Sequence, residues 1–202
     1  MRYTRFLISI FLFPAIISVF LPEMLHAQNG TFGTHIYAQK SFDLQKKGMI
    51  FLGSWASLNI ISGSAGYFLS ENDTKYFHQM NAGWNLVNLG IAGFALYSIS
   101  QMNASSLSYT EAVIDLQNLD KILLFNAGLD VGYMATGAWI RERGLRKGSE
   151  RLEGYGKSLL VQGGFLLAFD LVLYLLHNPI THDIINLSDS FKLTATGFRI
   201  TF

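Results

Sequence analysis

Two aspartates, Asp130 and Asp170, lie in the middle of long apolar stretches of the sequence, where carboxyl groups are rare. An aspartate at the centre of a membrane-spanning helix costs about 2.5–3.5 kcal/mol on insertion scales. Two neighbouring carboxyl groups avoid part of that cost by remaining neutral or by sharing one proton. Such a pair can exchange a proton or bind a small cation. The alternative is a pair of neutral carboxyl groups that are hydrogen-bonded to nearby asparagines.

Amide side chains occupy the same apolar stretches. At ~1.5 Å per residue along a helix, their positions predict a polar layer near the middle of a membrane. Asparagine and glutamine hydrogen-bond between membrane helices, so we expect these amides mainly to join helices. The predicted intramembrane polar site consists of Asn59, Asn85, Asn88, Asn126, Asp130, Gln162 and Asp170.

Four apolar stretches carry these residues, and they run over 48–69, 82–100, 121–140 and 157–177. A helix that crosses ~30 Å of hydrocarbon needs ~20 mostly apolar residues, which fits each stretch. Of the 202 residues, 50% are hydrophobic and 14% are charged, whereas ~25% are charged in ordinary soluble domains. We therefore predict an all-α membrane protein with four transmembrane helices in a bundle.

Two further patterns concern the organisation of this bundle. Leu58-Asn59 aligns with Leu129-Asp130, which indicates a two-fold repeat of a two-helix unit. Small residues in Gly63-x2-Gly66 and in Gly128-x3-Gly132-x3-Thr136 predict positions where helices approach closely.

The N-terminal segment is typical of an export signal. Arg2 and Arg5 precede an apolar run, and Leu25-His26-Ala27 forms a plausible cleavage site. Retention of the segment as a signal anchor is the alternative. The tail after Phe191 partly alternates and is rich in Thr and Phe, which predicts a short β-like segment.

The predicted domain organisation follows from these segments. Residues 105–119 are interpreted as a helix that lies at the outer interface or extends the third span. The predicted divisions are a signal peptide at 1–27, an external segment at 28–47 interpreted as an interfacial helix, a four-helix transmembrane domain at 48–177, and an external C-terminal tail at 178–202.

Loop charges predict the orientation. The connection 141–157 is rich in Lys and Arg, whereas 101–120 contains Glu111, Asp115 and Asp120 and no basic residue. The positive-inside rule then places 141–157 in the cytoplasm and both termini outside. Near an anionic leaflet each basic side chain contributes ~1 kcal/mol, so lipid headgroup contact is expected from Arg141, Arg143, Arg146, Lys147 and Arg151.

Several chemistries are excluded or disfavoured. The chain has no cysteine, which excludes disulfides, thiolate catalysis and cysteine-ligated metal sites. His78 and His177 have no second ligand at metal spacing, so we expect hydrogen-bonded roles near the interface. The sequence contains no phosphate-binding loop, nucleophile elbow or basic patch with interleaved aromatics. We therefore predict no cofactor, no metal and no nucleic-acid partner.

Three segments carry a resemblance to a known family. The run Phe125-Asn-Ala-Gly-Leu-Asp-Val-Gly-Tyr133, followed by Arg141-Glu-Arg-Gly144 and Arg151-Leu-Glu-Gly-Tyr-Gly156, resembles an uncharacterised family of small bacterial multi-span proteins. The similarity extends over about 48–177 and implies a location in the bacterial inner membrane. It transfers no activity and no site residues.

These observations leave three functional hypotheses. The first is a non-enzymatic integral membrane protein, in contact with membrane lipids, whose bundle assembles with itself or with an unidentified membrane partner. The second is a proton- or cation-coupled small-solute carrier that uses Asp130 and Asp170. The third is a membrane enzyme with carboxylates as acid and base, and it is disfavoured because no nucleophile accompanies them.

Overall fold

Four long helices and a short hairpin make up the described part of the computed structural model. The structure describes the backbone of residues 33–189, 191–194 and 197–200, and the side chains of residues 33–186. The predicted signal segment, residues 1–27, lies outside the described residues. In chain order the helices are α1 (Thr34–Leu69), α2 (Asn72–Ser100), α3 (Tyr109–Lys147) and α4 (Glu150–Asp189), with a 3₁₀ turn at Ala104–Ser106 between α2 and α3.

The helices form two antiparallel hairpins, α1–α2 and α3–α4, whose tight turns lie at the same end of the bundle. We call this the lower end. The α3–α4 turn contains Gly148, whose φ of 61° suits glycine and whose N–H bonds to the carbonyls of Gly144 and Leu145. The two turns meet where Lys157 Nζ lies 2.7 Å from Asp73 Oδ2. This ion pair joins the second hairpin to the first.

At the upper end, α3 begins with a capping box. The Ser108 hydroxyl accepts from the Glu111 backbone N–H, and the Glu111 carboxylate accepts from the Ser108 N–H at 2.9 Å. The hydrogen bonds from the Ser108 hydroxyl and backbone hold the pKa of the Glu111 carboxyl below its ordinary value. The helix start is therefore fixed by its own sequence.

Glycines allow the helices of each hairpin to approach closely. A Cβ at Gly63 would lie 2.9 Å from the His78 carbonyl oxygen on α2, and a Cβ at Gly137 would lie 2.9 Å from the Leu159 Cβ on α4. Both positions thus require glycine for close packing. The close approach predicted for the Gly63-x2-Gly66 pattern is confirmed.

Two apolar clusters stabilise the bundle. In the middle, Phe165, Phe169 and Leu173 of α4 pack with residues of the other three helices, and the Trp55 ring stacks on Phe165 at 3.9 Å. At the upper end, a second cluster joins the first part of α1, the 3₁₀ turn, the first part of α3 and the last part of α4. Its buried members are Tyr37, Ala38, Phe42, Ala104, Ala112, Leu116 and Ile184.

The upper cluster explains how the segments outside the apolar stretches fold. Residues 34–47 are continuous with α1, and residues 109–119 are continuous with α3, so neither is a separate interfacial helix. Phe42 and Leu116 are buried against other helices instead of facing a membrane surface. The α3 segment therefore extends the third apolar stretch, which is one of the two predicted alternatives.

Two of the four helices, α2 and α4, are long and apolar enough to cross a membrane. Only 17% of the apolar window of α2 is buried inside the structure, unlike the core helix of a soluble protein. Helix α3 is more polar over its length, since it contains Asn126 and Asp130 and a basic C-terminal part. The predicted bundle of four helices is thus present, and two helices meet the requirements for a membrane span.

The tail ends in two short antiparallel strands, β1 (Phe191–Thr194) and β2 (Gly197–Ile200). Their register pairs Phe191 with Ile200 and Thr194 with Gly197. These strands fall on the segment for which the sequence predicts β-like structure. Before them, α4 continues to Asp189 and contains Pro179.

Candidate functional site

Asp130 of α3 and Asp170 of α4 meet in the middle of the bundle. Their carboxyl groups lie close enough to interact electrostatically, and the two residues are 3% and 7% exposed. A hydrogen bond between two carboxyl groups requires a proton on one of them, because two carboxylates have acceptors only. Two carboxyl groups this close can share one proton, which is one of the alternatives that the sequence leaves open.

One oxygen of Asp130, Oδ2, is fully buried and accepts no hydrogen bond from an N–H or hydroxyl group of the described residues. A neighbouring carboxyl group such as Asp170 can satisfy this oxygen only when it carries a proton. Within the described residues, no group of three or more His, Asp or Glu side chains forms a metal site.

A cleft of about 520 Å³ adjoins the aspartate pair. It lies between α2 and α3, which do not contact each other in the described backbone, and its floor is formed by α1 and α4. Asp130 and Asp170 line it, together with Asn88 and Asn126. The remaining walls are mostly apolar. The ring of Trp84 on α2 meets Tyr133 on α3 edge to face at 4.9 Å and narrows the cleft on its lower side.

The predicted amides form a hydrogen-bonded chain around Asn81. Asn81 Nδ2 donates to Asn59 Oδ1 at 2.9 Å, and the Gln162 amide donates to Asn81 Oδ1. Asn85 donates to the Asn81 carbonyl at 2.8 Å, and Asn88 donates to Asn85 at 3.4 Å. These bonds join α1, α2 and α4. Asn81 is the centre of the chain and stands on the same helical face as Asn85 and Asn88, yet it was not among the predicted site residues.

Asn126 is placed differently from the other predicted amides. It is half-buried and lines the cleft near Asp130. The structure therefore divides the predicted polar site into two parts. Asn59, Asn85 and Gln162 belong to the chain between helices, while Asn126, Asp130 and Asp170 face the cleft, and Asn88 belongs to both.

A second buried polar group lies at the upper end. Ser41 Oγ is 2.7 Å from His177 Nε2, and His177 Nδ1 is 2.7 Å from Asp120 Oδ1. Gln45 donates to Ser41 Oγ at 3.1 Å, and Asn178 donates to Asp120 Oδ2 at 3.3 Å. Sequence reasoning missed this group because its members come from α1, α3 and α4. Ser41 and His177 stand 136 positions apart, and no local motif connects them.

The predicted lipid-contacting residues surround the α3–α4 turn at the lower end. Arg143 lies over the Trp139 ring at 5.3 Å, and Arg151 lies over the Tyr155 ring at 5.3 Å. Arg146 pairs with Glu142 at 3.5 Å on the exposed surface. A basic, aromatic-flanked surface of this kind suits the boundary between a membrane and water.

Comparison with known proteins gives one match. The model of a family described as of unknown function, DUF6992, matches residues 51–171. This match includes the aspartate pair and the amide chain, and it begins after Ser41 and ends before His177. No curated protein and no solved structure matches the chain.

Proposed function

The chain belongs to the DUF6992 family of unknown function, and we propose that it is a four-span membrane protein. It exchanges protons for a small organic cation whose body is apolar. The cation binds in the cleft between α2 and α3. When the cleft contains no cation, Asp130 and Asp170 hold a proton. When a cation occupies the cleft, the two carboxylates bind it instead. The observation that carries the proposal is the pair of buried, neighbouring carboxyl groups at the floor of an apolar cleft.

Charge placement supports four spans. Residues 48–70 and 76–110 contain no Asp, Glu, Lys or Arg. Residues 122–140 contain only Asp130, and residues 158–176 contain only Asp170. Each segment is long enough to cross ~30 Å of hydrocarbon at ~1.5 Å per residue. The two exceptions are the residues that meet in the interior, as expected for charges at membrane depth.

The outward faces of these segments are apolar. Leu58 of α1, Phe94 of α2, Phe125 of α3 and Leu175 of α4 are 66%, 73%, 66% and 67% exposed. Exposure of large apolar side chains on all four helices is costly in water and favourable in lipid. In keeping with the resemblance to bacterial multi-span proteins, we place the chain in a bacterial inner membrane.

The acid pair suits the exchange of a proton for a cation, because this exchange leaves the net charge of the site unchanged. With one proton on two carboxyl groups, the pair carries one negative charge. Replacement of that proton by a monovalent cation leaves the net charge of the buried site the same, because the second carboxylate that forms is compensated by the cation. The apolar cleft walls favour a cation with an apolar body, such as an organic ammonium or aromatic cation.

Cation binding and proton release can be measured together. We take ethidium as the probe and follow its fluorescence with purified protein in weakly buffered detergent solution containing a pH indicator. About one proton should be released for each ethidium bound. Asp130→Asn and Asp170→Asn should each abolish the proton release and weaken binding at least ~10-fold.

The matched control is Asp115→Asn, since Asp115 is exposed on α3 outside the cleft. It should bind and release protons as the unchanged protein does. Ethidium binding without proton release, or full binding by both aspartate variants, would refute the exchange. Infrared spectra provide an independent check, because the carbonyl band of a protonated carboxyl group should disappear in the double variant.

Self-assembly is a second candidate function, and a specific observation favours it. Gly128, Gly132 and Thr136 form an exposed row on α3, and nothing lies within 4 Å of a Cβ built at either glycine. The close packing that the small-residue pattern predicts is therefore not used within the described chain. A second copy packed along this row would use it.

The oligomeric state in lipid nanodiscs tests self-assembly. Gly132→Leu should shift a dimer toward the monomer in subunit counting by single-molecule photobleaching. Gly83→Leu is the control, because Gly83 of α2 is also exposed with nothing within 4 Å of its Cβ position. Monomers in the unchanged protein would exclude this candidate.

A further inference from the structure

We propose that Ser41 is the nucleophile of an acyl-transfer site, with His177 as its general base and Asp120 as a positioning residue, and that its substrate is an ester of a long acyl chain. The site lies at the upper end of the bundle, where α1, α3 and α4 each contribute one side chain. This proposal goes beyond cation exchange and does not rest on it.

The order of the hydrogen bonds matches the needs of nucleophilic catalysis. Asp120 accepts at Nδ1 of His177, so Nδ1 carries the proton and Nε2 keeps its lone pair. Nε2 lies 2.7 Å from Ser41 Oγ and therefore accepts the hydroxyl proton. The bond from Asn178 to the other Asp120 oxygen holds the carboxylate in this orientation. An acid, a base and a hydroxyl in this order form the arrangement that activates serine on unrelated folds.

The cleft reaches this site from below. Three residues that line the cleft are neighbours of the site residues. Leu119 precedes Asp120 in the sequence, and Gln45 and Leu173 lie one helical turn from Ser41 and His177. Ser41 itself is 1% exposed, so Gln45 separates its hydroxyl from the cleft. A shift of the half-buried Gln45 side chain that keeps its amide group beside Ser41 exposes Oγ to a molecule in the cleft.

Gln45 also provides a donor for the transition state. Its Nε2 already lies 3.1 Å from Ser41 Oγ. After Ser41 attacks a carbonyl carbon, the new oxyanion lies beside Oγ, within reach of the same amide. Side-chain amides serve as oxyanion donors in acyl-transfer enzymes.

The surroundings indicate the class of substrate. The cleft is mostly apolar, and above the Trp84–Tyr133 contact it lies between two helices whose backbones stay apart, so it admits a chain laterally from lipid. Ser41 lies about 10 Å above Gly48, where the charge-free part of α1 begins. Lys40, Lys46 and Lys47 mark this level as the boundary with water. An ester whose acyl chain lies in the cleft would place its carbonyl group at this depth.

The reaction is a two-step hydrolysis. Ser41 Oγ bonds to the ester carbonyl carbon while its proton passes to His177 Nε2. The ester C–O bond then breaks, and the departing alcohol takes that proton from His177. Water attacks the acyl-serine, gives a proton to His177, and releases the carboxylic acid as the proton returns to Ser41 Oγ. The net reaction is ester plus water to acid plus alcohol.

Covalent labelling tests the nucleophile without any variant. The full chain, purified in detergent, is incubated with a long-chain alkyl fluorophosphonate and analysed by peptide mass spectrometry. Ser41 should carry the adduct, and 4-nitrophenyl decanoate should be hydrolysed at a rate that the probe abolishes. No adduct on Ser41 together with no hydrolysis would overturn the proposal and leave a purely structural network.

Variants separate the roles of the three residues. Ser41→Ala should abolish labelling and hydrolysis, and Asp120→Asn should lower the rate about 10²–10⁴-fold and remove the rise of the rate with pH. The control is Ser158→Ala, because Ser158 is equally buried and its hydroxyl has no partner among the described residues. It should leave labelling and hydrolysis unchanged. Hydrolysis at the original rate by folded Ser41→Ala would also refute the proposal.

Discussion

Individual buried polar side chains in this bundle differ in how many of their hydrogen-bonding atoms have a partner. Asn81 makes hydrogen bonds with Asn59, Asn85 and Gln162, whereas Asp130 leaves one buried oxygen unpaired. A satisfied amide stabilises the packing of helices, while an unpaired carboxyl oxygen costs stability. The two kinds of residue therefore serve different purposes. The first holds the bundle together, and the second needs a proton on a neighbouring carboxyl group if its buried oxygen is to be satisfied.

Replacement of Asn81 should reveal the structural role directly. Asn81→Ala leaves Asn59 Oδ1 without its donor and Gln162 Nε2 without its acceptor, so we expect a loss of about 1–3 kcal/mol in the free energy of unfolding. Asn126→Ala is the comparison, because Asn126 faces the cleft, and it should change stability by less than ~0.5 kcal/mol. Denaturant unfolding in detergent micelles measures both. Equal losses would mean that the amide chain does not stabilise the bundle.

Sequence reasoning located part of the site because helical spacing is a local property. The face of Asn85, Asn88 and Ala92 is buried as its periodicity indicates. Asp130 and Asp170 meet because both lie near the middle of adjacent helices. The Ser41–His177 contact was not predictable, since it depends on α1 and α4 being in register at the upper end. No periodic pattern in either helix encodes that register.

At the scale of the helices, one glycine in each hairpin sets how closely its two helices pack. Gly137 meets Leu159 of α4, and Gly63 meets α2, while Gly132 and Gly128 on the other face of α3 meet nothing within the described chain. The same residue type thus acts in two ways on one helix. The sequence predicts small-residue contacts but does not show which face is covered by this chain.

Two glycines of α3 provide a matched pair for measurement. Gly137→Ala would place its Cβ 2.9 Å from Leu159 Cβ and 3.0 Å from the Gly156 carbonyl, so overpacking should destabilise the fold by about 1–3 kcal/mol. Gly132→Ala meets nothing and should stabilise the helix by up to ~1 kcal/mol. Thermal unfolding of the two variants in the same detergent distinguishes them. Similar melting temperatures would contradict the close α3–α4 approach.

The α3 capping box gives a pH-dependent contribution to stability. The pKa of Glu111 is lowered in the folded state, so its stabilising effect is complete above the ordinary carboxyl pKa and is lost as the pH falls through the folded value. Glu111→Gln should therefore be less stable than the unchanged protein at neutral pH. The two stabilities should converge in acid, as unfolding measured at several pH values would show. A constant difference would exclude the carboxylate as the cause.

The whole molecule has two different ends. The upper end carries its own apolar cluster and the Ser41–His177–Asp120 network, and the lower end carries the tight turns, the Lys157–Asp73 pair and the basic residues. Between them lie the four segments that are nearly free of charge. This division matches a protein whose two ends face water on opposite sides of a membrane.

The absence of cysteine from the sequence makes the orientation easy to measure. Cysteine is introduced singly at three exposed positions, which are Asp43 near the upper end, Leu86 in the middle and Arg146 near the lower end. A membrane-impermeant maleimide added to intact cells should label Asp43→Cys only. Arg146→Cys should react after lysis, and Leu86→Cys only after detergent is added. Labelling of Arg146→Cys in intact cells would invert the predicted topology.

The separation of α2 from α3 has a consequence for assembly. The two hairpins share only one covalent connection, residues 101–108 at the upper end, and elsewhere they associate through side chains such as Asp73 and Lys157. A polypeptide divided within that connection would consist of two fragments, each able to insert as a complete helical pair. Coexpression of the fragments should restore the intact arrangement.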